Sequence, residues 1–165
     1  MLKMMGAVMI CAACTYMGLR KSSELTKREK ALKSIHTALG HLETEIGFSS
    51  NNLKHAFLNI ENSAPLNGLF SDAAERIENF GIKKAWTYAV MNSKLTLLDS
   101  DRELLLMLGT RLGMTDTKNQ LKHIGYMREL ISAQAGLAEA ERQRLSNIYR
   151  GGGVLLGLFI VLLVV

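Results

Sequence analysis

The stretch LTKREKALKSIHTALGHLETEI, Leu25 to Ile46, decides the fold. Its apolar positions Leu25, Leu32, Ile35, Leu39, Leu42 and Ile46 are spaced 7, 3, 4, 3 and 4 apart. That rhythm lays one apolar stripe along a helix, with Lys, Glu, Ser and Thr on the other side. A stripe of this kind is stable only against other helices, so it predicts a bundle. No breaker interrupts the pattern upstream, which predicts one helix running from the N-terminal apolar run to near Gly47.

Working toward the C-terminus, Ser49 to Asn52 reads as a turn and cap cluster. A short helix is expected over Leu53 to Ile60, then a loop at Asn62-Ser63-Ala64-Pro65. Helices over Leu66 to Phe80 and Lys83 to Met91 are expected to be separated by Gly81. Asp99 to Asp101 caps the next helix, with Ser100 and Glu103 spaced as a capping box, and Gly113 ends it. Asp116 starts the last helix, whose one face carries Leu121, Ile124, Met127, Ile131, Ala135, Ala138, Leu145 and Tyr149. The single proline, with Leu, Ala, Lys and Glu plentiful, agrees with an all-α protein. The longest two helices are expected to lie antiparallel with the shorter ones packed over them.

Both ends are apolar. Met4 to Leu19 carries no charge, and neither does Gly151 to Val165. The N-terminal run admits a cleaved signal, a lipoprotein signal with Cys14 as acceptor, or a retained transmembrane helix. The uninterrupted helical pattern past Arg20 and the second apolar run favour the last. At about 1.5 Å per residue the C-terminal run spans roughly 22 Å, short of the ~30 Å hydrocarbon core. Packing with other membrane helices tolerates such shortness, and Gly153 and Gly157 sit at the four-residue spacing that lets helices approach in lipid. The expectation is an all-α chain: a transmembrane helix over 1–19, a soluble bundle of about six helices over 20–150, and a transmembrane segment over 151–165. Arg20, Lys21, Lys27, Arg28, Lys30 and Lys33 follow the first span, and Arg142, Arg144 and Arg150 precede the second. By the positive-inside rule the bundle faces the cytoplasm and both termini lie across the membrane.

Candidate chemistry is sparse. The segment from Arg20 to Arg150 holds 19 of the 20 basic residues and all 15 acidic ones, a balance of +4. Those charges are dispersed, without aromatics between them, which argues against nucleic-acid binding. His36, His41, His55 and His123 make no metal spacing. Cys11 and Cys14, the only cysteines, lie inside an apolar run rather than at the start of a helix after a strand, so redox chemistry is not expected. Glu43 and Glu45 sit at i, i+2 and diverge by about 200° on a helix, so they cannot flank one substrate. One is expected at a bundle or partner contact, the other in solvent. LGTRLG, Leu108 to Gly113, follows no strand and lacks the Lys-Ser/Thr of a phosphate loop. Gly109 suits a close helix crossing and Gly113 a C-cap. No nucleophile has a base, so no enzyme and no cofactor are expected.

Four segments carry a resemblance: MLKMMGAVMI, LGHLETEIGF, LLMLGTRLGMTDTKNQLKHI and the glycine-rich apolar C-terminal run. Together they resemble the stage III sporulation protein AB family of endospore-forming bacteria, most specifically at Leu42, Glu43, Glu45 and Ile46, and at Leu108, Gly109, Leu112, Gly113, Asp116 and Gln120. Residues 48–98 match loosely, and the proline that family places after Phe48 is missing. The resemblance implies a soluble domain like that of the inner-membrane platform protein of type II secretion and type IV pilus machines. It implies a non-catalytic scaffold in the mother-cell membrane around the forespore, in a channel linking the two cells. Its implied partners are membrane lipid, a secretion-ATPase-like protein and other stage III sporulation membrane proteins, with a homo-oligomer allowed. The competing readings are a membrane-anchored helical adaptor or sensor unrelated to secretion, and a lipoprotein acylated at Cys14.

Overall fold

The computed structural model describes residues 2–48, 53–63, 66–113 and 116–164, with only part of the side chains toward the two ends of the chain. Five helices account for these residues: α1 Leu2–Phe48, α2 Leu53–Ser63, α3 Leu69–Asn92, α4 Asp99–Gly109 and α5 Thr117–Val164. There are five rather than six because the two helices expected around Gly81 are halves of α3, bent at that glycine. The turn expected at Ser49 to Asn52 and the Pro65 turn lie outside the described residues, while Asn62 and Ser63 belong to α2. The chain divides into two compact units, one of residues 30–135 and one of residues 1–29 with 136–165.

The unit of residues 30–135 has an apolar core, and the opening stripe enters it. Leu32, Ile35, Leu39, Leu42 and Ile46 of α1 are buried, as are Ile124, Met127, Ile131 and Ala135 of α5. Between them lies an aromatic cluster. Phe57 of α2 stands edge-on to Phe70 of α3 with centroids 5.3 Å apart, and Trp86 tilts against both at 5.6 and 5.4 Å. All three rings are fully buried, which stabilises the fold by about 1.5–3 kcal/mol each. The indole Nε1–H of Trp86 donates to the Leu105 carbonyl of α4 at 2.5 Å, so the ring's one polar group is satisfied inside the core.

Opposite charges hold the two ends of α3. The Glu61 carboxylate, near the end of α2, accepts the Leu66, Gly68 and Phe70 N–H groups at 2.9, 2.8 and 3.0 Å. Those amides lie at or just before the start of α3, where a helix leaves donors unpaired and favours negative charge. At the other end the Arg102 guanidinium donates to the Val90 and Leu95 carbonyls at 2.7 and 3.4 Å and to Ser93 Oγ at 3.2 Å. The start of α4 differs from the capping box expected of Ser100 and Glu103. Leu98 is the N-cap, and its N–H donates to Asp101 Oδ2 at 3.0 Å. Asp101 is fully buried, and its short side chain reaches back three residues, so the helix begins at Asp99 and leaves Ser100 exposed inside its first turn.

In the second unit, residues 1–29 and 136–165, polar groups pair between the two segments. Ser22 and Ser146 share a hydrogen bond of 2.6 Å, Arg28 pairs with Glu141 at 2.8 Å, and Glu29 pairs with Arg142. As numbering rises along α1 it falls along α5, so within this unit the two segments run antiparallel. Arg28 and Glu29 are buried, and buried charges of this kind are costly out of register. Among the described residues no helix is long and apolar enough to cross a membrane. The uncharged runs that suggested two spans have 16 and 15 residues, fewer than the ~20 that a spanning helix needs. The packing proposed for Gly153 and Gly157 and any role of Cys11 fall on side chains outside the described residues.

Gly81 holds φ 75° and ψ 161°, a region essentially closed to residues with a Cβ. No atom lies within 4 Å of a Cβ added there, so a side chain meets space but not an allowed backbone. Gly81→Ala is expected to lower unfolding free energy by about 1–3 kcal/mol, read by denaturant unfolding of the full chain. An unchanged midpoint means that α3 is not bent there.

Candidate functional site

The two motifs singled out in the sequence are held by different elements. Glu43 and Glu45 occupy the last turns of α1, on opposite sides of one helix. Glu43 faces α5, where its Oε2 accepts from Arg128 Nη1 at 2.8 Å. Arg128 Nη1 also lies 3.5 Å from where a Cβ on Gly40 would stand, one turn earlier on α1. Glu45 faces α2, where its Oε2 receives a long 3.5 Å hydrogen bond from Asn59 Nδ2. The divergence expected of an i, i+2 pair is thus resolved into two separate neighbours. Both side chains of the Glu43–Arg128 pair are more than a third exposed, at 36% and 40%, so it contributes at most about 1 kcal/mol. The Glu43 and Glu45 side chains are both half-buried and keep part of their surface open to solvent.

Gly109 and Gly113 have the opposite character. Gly109 is buried, and a Cβ there would stand 3.0 Å from Trp86 Cγ and closer still to Cδ1. The tryptophan packs this close to the α4 backbone only because residue 109 has no side chain. Gly113 holds φ 72°, the left-handed conformation that closes the turn after α4. A Cβ there would collide with the Ile82 side chain of α3 and stand 3.4 Å from Leu53 Cδ1 of α2. Asp116 begins α5: its carbonyl accepts the Asn119 and Gln120 N–H groups at 3.1 and 3.0 Å, and its Oδ1 accepts Asn119 Nδ2 at 2.6 Å. Gln120 is half-buried in that first turn. The glycines are packing positions, and the carboxylates are surface positions on a packed helix. No described contact joins the two sets.

Glu61, Arg102 and Trp86 were not singled out by the sequence reading. Their side chains reach backbone groups between five and nineteen positions away. No fixed spacing announces such bonds. A Glu just before the turn that holds the chain's one proline, and a lone Trp with Gly nearby, are the faint signals present. Among the described residues no group of three His, Cys, Asp or Glu is placed to hold a metal. The chemistry on offer is charge presented on rigid helices.

Comparison with known proteins follows this geometry. The family model of stage III sporulation protein AB matches residues 3–165. The stage III sporulation protein AB of Bacillus subtilis (strain 168) is 30% identical over 169 residues, covering 99% of either chain. A solved structure of a stage III sporulation protein AB superposes with a TM-score of 0.66 at 27% identity, covering 72% of this chain and 98% of that one.

Gly109→Leu is expected to cost about 3 kcal/mol or more, because the added side chain must displace the indole. Glu43→Gln is expected to cost no more than about 1 kcal/mol. Thermal unfolding of the full chain distinguishes the two, and similar losses for both contradict the division into packing and surface positions.

Proposed function

The chain belongs to the stage III sporulation protein AB family, and we propose that it is a non-catalytic platform subunit of a secretion-like channel between mother cell and forespore. In this reading it couples a secretion-type ATPase to membrane rings. The observation that carries it is the pair Glu43 and Glu45. They are held in fixed, divergent directions on a helix whose inner face is buried, while contributing little to stability themselves. Carboxylates so placed suit recognition, since rim charges set partner choice and association rate more than they set folding.

Two further parts of the proposal rest on sequence. Residues 1–19 and 151–165 attach the chain to the mother-cell membrane around the forespore. Residues 20–150 then face the cytoplasm, as the excess of Lys and Arg on that side requires. Spans this short need local thinning or other helices beside them. Gly153 and Gly157 would provide a small-residue face for such packing, against other stage III sporulation membrane proteins or a second copy of the chain.

The test is co-purification of the full chain, in detergent, with a secretion-type ATPase-like protein of the same sporulating cells. Glu45→Lys is expected to abolish co-purification while leaving the thermal midpoint within about 2 °C, as suits a surface change. Undiminished co-purification of both Glu43→Lys and Glu45→Lys variants contradicts a recruiting role for this motif. Failure of the unaltered chain to bring down the ATPase-like protein contradicts the platform reading itself.

A further inference from the structure

The bend at Gly81 builds a feature that a straight helix cannot have. Arg76, Phe80, Lys84 and Tyr88 recur every four residues along α3, two before the bend and the last two after it. In an unbroken helix, residues 76 and 88 stand about 18 Å apart along the axis. Here the Arg76 guanidinium lies 4.2 Å from the centre of the Tyr88 ring. The two halves of α3 therefore fold toward each other on this side and enclose a notch of about 320 Å³ lined by these four residues. Phe80 is 60% exposed and Tyr88 47%, and Met91, one turn beyond Tyr88, is also exposed. Large apolar side chains gathered in a concave place on the surface mark an interaction site.

The notch has a definite charge. Arg76 and Lys84 are its lining cations. Arg76 is oriented rather than neutralised: Nη1 donates to the Asp72 carbonyl at 3.1 Å, and the guanidinium is stacked on Tyr88. The nearby carboxylates of α3 are Asp72, Glu75 and Glu78, and Lys54 holds Glu78 below the usual carboxylate range through a hydrogen bond. Those flanking negative charges disfavour a continuous polyanion such as a nucleic-acid backbone. A single carboxylate next to an apolar side chain meets no such repulsion. We propose that this notch docks an acidic segment of a protein partner, which sets a carboxylate between Arg76 and Lys84 and an apolar side chain against Phe80 and Tyr88. The proposal deepens the platform role by naming a partner surface, and rests on that reading for the partner being a protein of the same complex.

The probe is a fluorescein-labelled peptide with one glutamate next to one phenylalanine in an otherwise uncharged chain, titrated with the purified full chain and read by anisotropy. Controls are the same peptide with glutamine for glutamate and an oligothymidylate of equal length. The glutamate peptide is expected to bind at least about tenfold tighter than the glutamine one, and Lys84→Glu to weaken it by at least about tenfold. Lys118→Glu, an equal charge change at an exposed position on α5, is expected to have under a threefold effect. Phe80→Ser, also at an exposed position, is expected to weaken binding without lowering the thermal midpoint. No binding, equal binding of both peptides, tighter binding of the oligonucleotide, or equal weakening by Lys84→Glu and Lys118→Glu overturns the proposal. Co-purification with the ATPase-like protein reads the platform role through Glu45, so either test can fail without the other.

Discussion

The indole of Trp86 touches three other helices or halves of helices at once. Phe57 of α2 and Phe70 at the start of α3 tilt against it, the Gly109 backbone of α4 lies close to its Cδ1 and Cγ, and the Leu105 carbonyl accepts its N–H. Each neighbour constrains the next. The hydrogen bond fixes how far the ring enters α4, and the missing side chain at residue 109 permits that depth. The two phenylalanines then have one way to fill the remaining space at interior packing density. Moving α4 outward by the width of a methyl group would leave the indole N–H unpaired and open a void beside three buried rings.

Around that centre the polar groups act as stops. Glu61 and Arg102 satisfy opposite ends of α3 with the sign of charge that each end favours. Their effect is to fix where α3 begins and ends. It also fixes the register of the bend at Gly81, since residues 76 and 88 meet only for one placement of each half. In the other unit Arg28, Glu29, Arg142 and Glu141 do a similar job with pairs of which one partner, Arg28 or Glu29, is buried, and such pairs select an alignment more surely than they add stability. The outcome within residues 30–135 is a packed helical body with charges on its surface.

Periodicity in the sequence reached the long helices well. The stripe from Leu32 to Ile46 and that from Ile124 to Ala138 are buried, because a 3.6-residue pattern is a direct consequence of having one dry face. Gly113 was half legible: it holds the left-handed conformation expected of it, but α4 already ends at Gly109 with Thr110 as its C-cap in the right-handed region, so the glycine closes the turn that follows rather than the helix. The bend at Gly81 was half legible. A glycine there marked an interruption, but whether the chain leaves the helix or turns within it depends on Arg76 and Tyr88 meeting, twelve residues apart. The start of α4 was misread by two positions: Ser100 and Glu103 have the right spacing, but Leu98 is the N-cap and Asp101 makes the bond. Glu61, Arg102 and Arg128 were illegible because their partners are chosen by the fold. Of the candidate site, the residue types were readable and their neighbours were not.

Attachment at both ends is what separates a platform from a free-standing bundle, and it is also where sequence and structure pull apart. The terminal runs are uncharged and mostly apolar, yet no described helix reaches the length and apolarity of a span. Helices that short belong in a membrane only beside others. A phosphatase that folds only outside the cytoplasm, fused after Val165 and expressed with the native N-terminus in sporulating cells, reads the matter directly. An active phosphatase that stays with the membranes after alkaline washing is the predicted result. An inactive phosphatase that alkaline washing releases from the membranes would contradict it.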